Sequence, residues 1–192
     1  MSALPQYSPF EISKALSAHS IALGFIKNTE GNFEFVGTFA AEVEKYFELN
    51  LVDELTFFSP TGKAGELFEI PVSGTDSQTD RIFLVGVGDQ SGAAARSAGA
   101  AVGRKVRGKS TSVFSACVVS EIKSHAISIV LGAWVWNLKT DKAKEEPTIF
   151  VASKNAQEIK DAASIRTSNL SHTGFNSHTG KYQDSRMDGK AS

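Results

Sequence analysis

The chain has 192 residues and 41% hydrophobic content, enough for the core of one ordinary domain and too much for global disorder. Its 20 basic and 21 acidic residues leave a net charge of -1, which gives no electrostatic reason to expect nucleic acid or an anionic membrane as partner. The single cysteine, Cys117, excludes an internal disulfide and lies in an apolar run, a usage typical of reducing compartments. Met1 to Ser20 carries no basic leader with an apolar stretch behind it, and the apolar run from Ala126 to Val135 is too short to cross a bilayer. The expected location is cytoplasmic.

Ser20 to Ile26 is rich in β-formers and reads as a strand, and Asn28 to Asn32 is turn chemistry. Phe39 to Leu49 takes the helical period, with Val43, Tyr46, Phe47 and Asn50 on one face. Ser59-Pro-Thr-Gly62 breaks the chain. Glu66 to Val72 reads as a strand, and Pro71 assigns it to a sheet edge. Ser73 to Asp80 is a polar loop. Arg81 to Val87 is the clearest strand, and its unbroken apolar character predicts burial on both faces. Gly88 to Gly92 turns the chain into an alanine-rich helix over Ala93 to Val106, ended by Arg107-Gly108-Lys109. Thr111 to Val119 is another strand, and Ser120 is placed to cap the next helix. On that helix Ile122, Ala126, Ile127, Val130, Ala133 and Trp134 recur at helical spacing. Thr148 to Ala152 is the last strand, and Ala156 to Ile165 a short helix with Ile159, Ala162 and Ala163 on its apolar side. Strands and helices in alternation predict a layered α/β fold with mainly parallel central strands.

The character changes after Arg166. Thr167 to Ser192 has no period of either kind, few large apolar residues, and a repeated Ser-His-Thr-Gly at Ser171 to Gly174 and Ser177 to Gly180. Such composition cannot offset the entropy of ordering. The expected division is a folded domain over residues 1–165 and a disordered polar tail over residues 166–192, the mark of a truncation, a shifted reading frame or an added sequence.

Five sets of residues carry possible chemistry. Gly86, Gly88 and Gly92 join a buried strand to a helix, where backbone amides can hold a phosphate. Their spacing misses the dinucleotide fingerprint by one residue, so a strand-to-helix turn is the plainer reading and an ADP-ribose or nucleotide-type ligand the alternative. Cys117 and His125 could pair as nucleophile and base, but no acid lies near to orient them. The expectation is a buried structural thiol and a histidine on the helix surface. His172 and His178, with Asp184 and Asp188, fall in the tail with no element to hold a metal. Arg96, Arg104, Lys105, Arg107 and Lys109 lie on and after one helix without aromatics for base stacking, so they read as a solvated face. Trp134 is assigned to the core and Trp136 to an interface.

Three segments in order resemble a known family: Arg81-Ile-Phe-Leu-Val-Gly-Val-Gly88, Arg96-Ser-Ala-Gly-Ala100, and Leu131-Gly-Ala-Trp-Val-Trp-Asn-Leu-Lys-Thr140. They look like the N-terminal domain of the cytosolic leucine (leucyl) aminopeptidases, over about Ser20 to Ile165. Trp134 and Trp136 stand at the family's aromatic positions, and Asn137 where an acid is common. The resemblance implies a three-layer fold similar to the macro domain, with a mixed, mainly parallel central sheet flanked by helices. It implies a non-catalytic role in inter-domain packing or oligomer assembly, with a catalytic domain as partner and hexamers in the full-length family. It places two divalent metal ions, manganese or zinc, and removal of N-terminal residues from peptides, in that other domain. The domain's Asn-Thr-Asp-Ala-Glu-Gly-Arg motif has no counterpart here. The resemblance therefore assigns no catalytic, metal or cofactor residue to this chain, which is expected to be inactive alone. A stand-alone macro-like module that binds an ADP-ribose-type ligand at Gly86 to Gly92 is the alternative.

Overall fold

The apolar runs become the middle of one sheet. The computed structural model describes residues 4–135 and 145–154. Its elements are β1 (Gln6–Ser8), α1 (Ile12–Leu16), β2 (Ser20–Lys27), β3 (Phe33–Phe35), α2 (Phe39–Phe47), α3 (Leu51–Phe58), β4 (Leu67–Pro71), β5 (Arg81–Gly86), α4 (Gly92–Val106), β6 (Ser112–Ala116), α5 (Ile122–Ala133) and β7 (Thr148–Ala152). The strand order is β1-β7-β6-β2-β5-β4. β1, β7, β6, β2 and β5 run parallel to their neighbours along that path, and β4 closes the edge antiparallel to β5. β6 pairs with β2 only as far as Leu23, and β3 then takes over antiparallel from Phe25 to Lys27. Pro71 ends the edge strand, where its missing amide costs no ladder bond.

Side chains alternate between two cores, which is why the strands read as unbroken apolar runs. On one face Ala22, Phe83, Val85, Val113, Ile149 and Val151 meet α4 and α5. On the other Ile21, Leu23, Phe25, Ile82, Leu84 and Phe114 meet α1, α2 and α3. The result is a three-layer α/β fold with a mixed, mainly parallel sheet, as expected.

Local differences from expectation have local causes. The helix predicted to Leu49 ends at Phe47, where Glu48 takes a left-handed conformation. Asn50 is not on its face. The Asn50 side chain instead accepts hydrogen bonds from the Val52 and Asp53 amides and starts α3, while Glu44 accepts from the Leu51 amide at 2.9 Å. The sequence pattern assigns no helix to Leu51–Phe58. Ser120 is not the cap of α5 either. Glu121 holds that place with φ 55°, and no side chain caps the helix. The helix expected over Ala156 to Ile165, and the tail behind it, lie outside the described residues.

α4 and α5 pack backbone to backbone. A Cβ on Gly99 would meet the His125 carbonyl, one on Gly103 the Ile129 carbonyl, and one on Gly132 the Ala100 carbonyl at 2.7 Å. Absence of a side chain at these places is what permits the approach. At the C-terminal end of the pair Arg107 Nε donates to the Gly132 carbonyl at 2.9 Å, which places a cation where α5 leaves carbonyls unpaired. Gly103→Ala should therefore force the helices apart and cost about 2–3 kcal/mol in a urea titration. Ser97→Ala on the exposed side of α4 should stay within about 0.5 kcal/mol. Equal unfolding midpoints for the two variants would show that the contact is not tight.

Candidate functional site

The end of β6 and the middle of α5 meet in a buried polar chain. Alternation along β6 points Ser115 into the layer occupied by α4 and α5, where α5 presents His125. Ser115 Oγ lies 2.8 Å from His125 Nε2 and 3.5 Å from Cys117 Sγ. His125 Nδ1 lies 3.1 Å from the Ala95 carbonyl of α4. A carbonyl only accepts, so Nδ1 carries the proton. In the neutral ring Nε2 then accepts from the Ser115 hydroxyl, and the Cys117 thiol is left to donate to Ser115 Oγ. Every member has a partner, and the chain ties β6 to both helices.

His125 is fully buried, so the surface position expected for it is wrong. Desolvation pushes its pKa down from 6.5 to about 4, with the Ala95 hydrogen bond pulling the other way. Cys117 is fully buried, as expected, and desolvation pushes its thiol up to about 12. A neutral thiol and a neutral imidazole joined through a serine, without an acid, form a structural relay and not an activated nucleophile.

The Gly86 to Gly92 turn is built by close backbone packing. A Cβ on Gly86 would meet the Lys63 carbonyl, and Gly88 has φ +52°. Ser91 caps α4 by accepting from the Ala94 amide at 3.2 Å. Asp89 accepts from the Ser91 amide at 3.0 Å, and its hydrogen bonds with Ser91 hold its carboxyl below the ordinary range. The Glu121 carboxylate comes within 3.0 Å of where a Gly92 Cβ would stand. The amide end of α4 thus already faces a serine cap, two acids and the Arg96 guanidinium, whose Nη1 lies 3.5 Å from the same Gly92 Cβ position.

The basic set splits by function. Lys105 and Arg81 both pair with Glu69, tying α4 and β5 to the edge strand β4. The Lys105 hydrogen bond, and charges of Lys105, Arg81 and Lys109, lower the Glu69 pKa against a desolvation cost. Arg96 and Arg104 instead line a groove of about 460 Å³ with Ala64, Gly65, Ser97, Ala100, Ser128 and Leu131. Trp134, assigned to the core by spacing, is 49% exposed at the end of α5. Trp136 lies outside the described residues, as do His172, His178, Asp184 and Asp188.

The two-metal centre implied for a family member has no fit here. Among the described residues no group of three or more histidines, cysteines, aspartates or glutamates could hold an ion. Such a centre needs several converging carboxylates, whereas Glu44 serves the start of α3 and Glu66 accepts from the Thr61 and Gly62 amides. Among the described residues no helix is long and apolar enough to cross a membrane.

A three-layer α/β domain with a mixed, mainly parallel sheet is the class defined by this geometry. Residues 40–147 match the model of the cytosol aminopeptidase family, N-terminal domain, and the chain belongs to that family. No curated protein sequence matches it significantly. Among solved structures it is similar to the bottromycin maturation enzyme BotP, with 17% identity, a TM-score of 0.50, and coverage of 76% of this chain and 30% of that one. A second structure of BotP, in complex with Mn, gives 17% identity and a TM-score of 0.47 over 77% of this chain and 28% of that one. The chain therefore spans under a third of the length of these structures.

Two measurements probe the relay. Between pH 6.5 and about 4 an unfolded His125 binds a proton and the folded one does not, so stability is full above pH 6.5 and falls as pH drops through this window. The loss should reach roughly 3 kcal/mol near pH 4, and His125→Gln should flatten that part of the profile. An unchanged slope in the variant would mean other groups cause it. Cys117 should resist an aromatic disulfide reagent at pH 8 in the native protein and react fully in urea; stoichiometric native labelling would contradict its burial.

Proposed function

We propose that this chain serves as the non-catalytic N-terminal domain of a leucyl-aminopeptidase-type protein, packing against a catalytic domain or helping an oligomer assemble. The observation that carries the reading is the match over residues 40–147 to the family's N-terminal domain. It is supported by the employment of the reactive side chains. Ser115, Cys117 and His125 bond to one another inside a closed core, and Glu69, Lys105 and Arg81 tie elements together. A domain of this kind contributes surface and rigidity, while peptide hydrolysis and its divalent metals, manganese or zinc, belong to the partner domain. The cytoplasm is the compartment that fits a single reduced, buried thiol.

Incubation of the purified chain with leucine amide and manganese should release no leucine above the metal-only control. Turnover that a chelator abolishes would overturn the non-catalytic reading.

A further inference from the structure

The groove of about 460 Å³ along the seam of α4 and α5 contains a polar group that the fold leaves without a partner. Ser128 is only 7% exposed, and a Cβ on Gly99 would come within 3.1 Å of its own Cβ. Its hydroxyl forms no hydrogen bond among the described residues. It does not even turn back to the carbonyl one turn earlier, as Ser97 on α4 does to Ala93 at 3.1 Å. Yet no fully buried side-chain nitrogen or oxygen among the described residues lacks a partner. The exposure that Ser128 keeps therefore lies at its hydroxyl, and the surface it opens on is the groove.

The two arginines of the groove are placed differently. A helical side chain leans toward the N-terminus of its own helix. Arg96 does so: its Nη1 lies 3.5 Å from where a Gly92 Cβ would stand, beside the Glu121 carboxylate, so its charge is used at the start of α4. The same lean aims Arg104 over Ala100, toward the level of Gly99 and Ser128. Arg104 forms no ion pair among the described residues, whereas Lys105 next to it is held by Glu69.

We infer that Arg104 and Ser128 form a binding site for a phosphate monoester with an apolar body. A guanidinium offers two parallel N–H donors to two phosphate oxygens, and the Ser128 hydroxyl donates to a third. A carboxylate has two oxygens and would have to divide one of them between arginine and serine. Ala100 and Leu131 line the same groove and give apolar contact to the group that carries the phosphate. The site is distinct from the amide end of α4, where the Ser91 cap and two carboxylates stand, and it does not depend on the packing role proposed above.

The test titrates the whole chain with phenyl phosphate, read by calorimetry and by the amide shifts of α4 and α5. Saturable binding should appear at millimolar concentrations, with shifts centred on Ala100, Arg104 and Ser128. Arg104→Met and Ser128→Ala should each weaken it roughly fivefold or more while leaving the thermal melt unchanged. Lys45→Met, on α2 across the sheet, should leave it unaltered. Benzoate and inorganic phosphate should both bind more weakly than phenyl phosphate, and equal affinity for either overturns the ligand class. No saturable binding, or binding that both groove variants leave intact, overturns the site. A loss in Lys45→Met as large as that in Arg104→Met marks general attraction between charges and overturns it as well.

Discussion

The close contact of α4 with α5 is the constraint on which the rest of the structure depends. Gly99, Gly103 and Gly132 let two helices lie against each other at the backbone, so both fit over one face of the sheet. That contact fixes how α5 is rotated about its axis. Rotation then decides which residues it buries: Ile122, His125, Ala126 and Ile129 go in, and Ile127, Leu131 and Trp134 stay out. A polar ring in the buried set would be costly without partners, and the fold supplies the Ser115 hydroxyl below and the Ala95 carbonyl beside it. Packing, relay and exposed row are thus three consequences of one helix orientation.

This dependence also explains what could be read from the sequence and what could not. The central strands were legible because a strand covered on both faces must be apolar throughout, and Ile82 to Gly86 and Ile149 to Ala152 are. The edge strand was legible from Pro71. The phase of α5 was legible in part: Ile122, Ala126, Val130 and Ala133 do pack into the core, but Ile127 and Trp134, placed with them by spacing, stand out, because the face that meets α4 has to be small. Gly132 and Ala133, read against Gly99 and Gly103, were the usable signal. With that phase His125 falls inside, three residues after Ile122 and four before Ile129. The missed α3 had a signal too, since Asn50 precedes Leu51 with Asp53 and Glu54 in the first turn. β1, α1 and β3 are three to five residues long and owe their form to neighbours: β1 exists by pairing with β7, and β3 by extending β2 past the end of β6.

The glycine-rich turn after β5 illustrates why motif spacing alone decides little. The same residues that can bring amides to a phosphate can also bring a strand against a loop. At Gly86 the neighbour is the Lys63 carbonyl, and around the start of α4 stand Ser91, Asp89 and Glu121. An anion arriving there would have to displace the Ser91 cap, and it would meet the Asp89 and Glu121 carboxylates together with the Arg96 guanidinium, whose Nη1 lies 3.5 Å from where a Gly92 Cβ would stand.

The two cores brace the sheet on both of its faces. The relay adds direction, because hydrogen bonds, unlike apolar contacts, tolerate little sliding. With β6 joined to α5 and α5 to α4, the outer face of α5 is registered to the sheet itself. The position of every residue on α5, buried or exposed, is thereby set by the chain of hydrogen bonds beneath it.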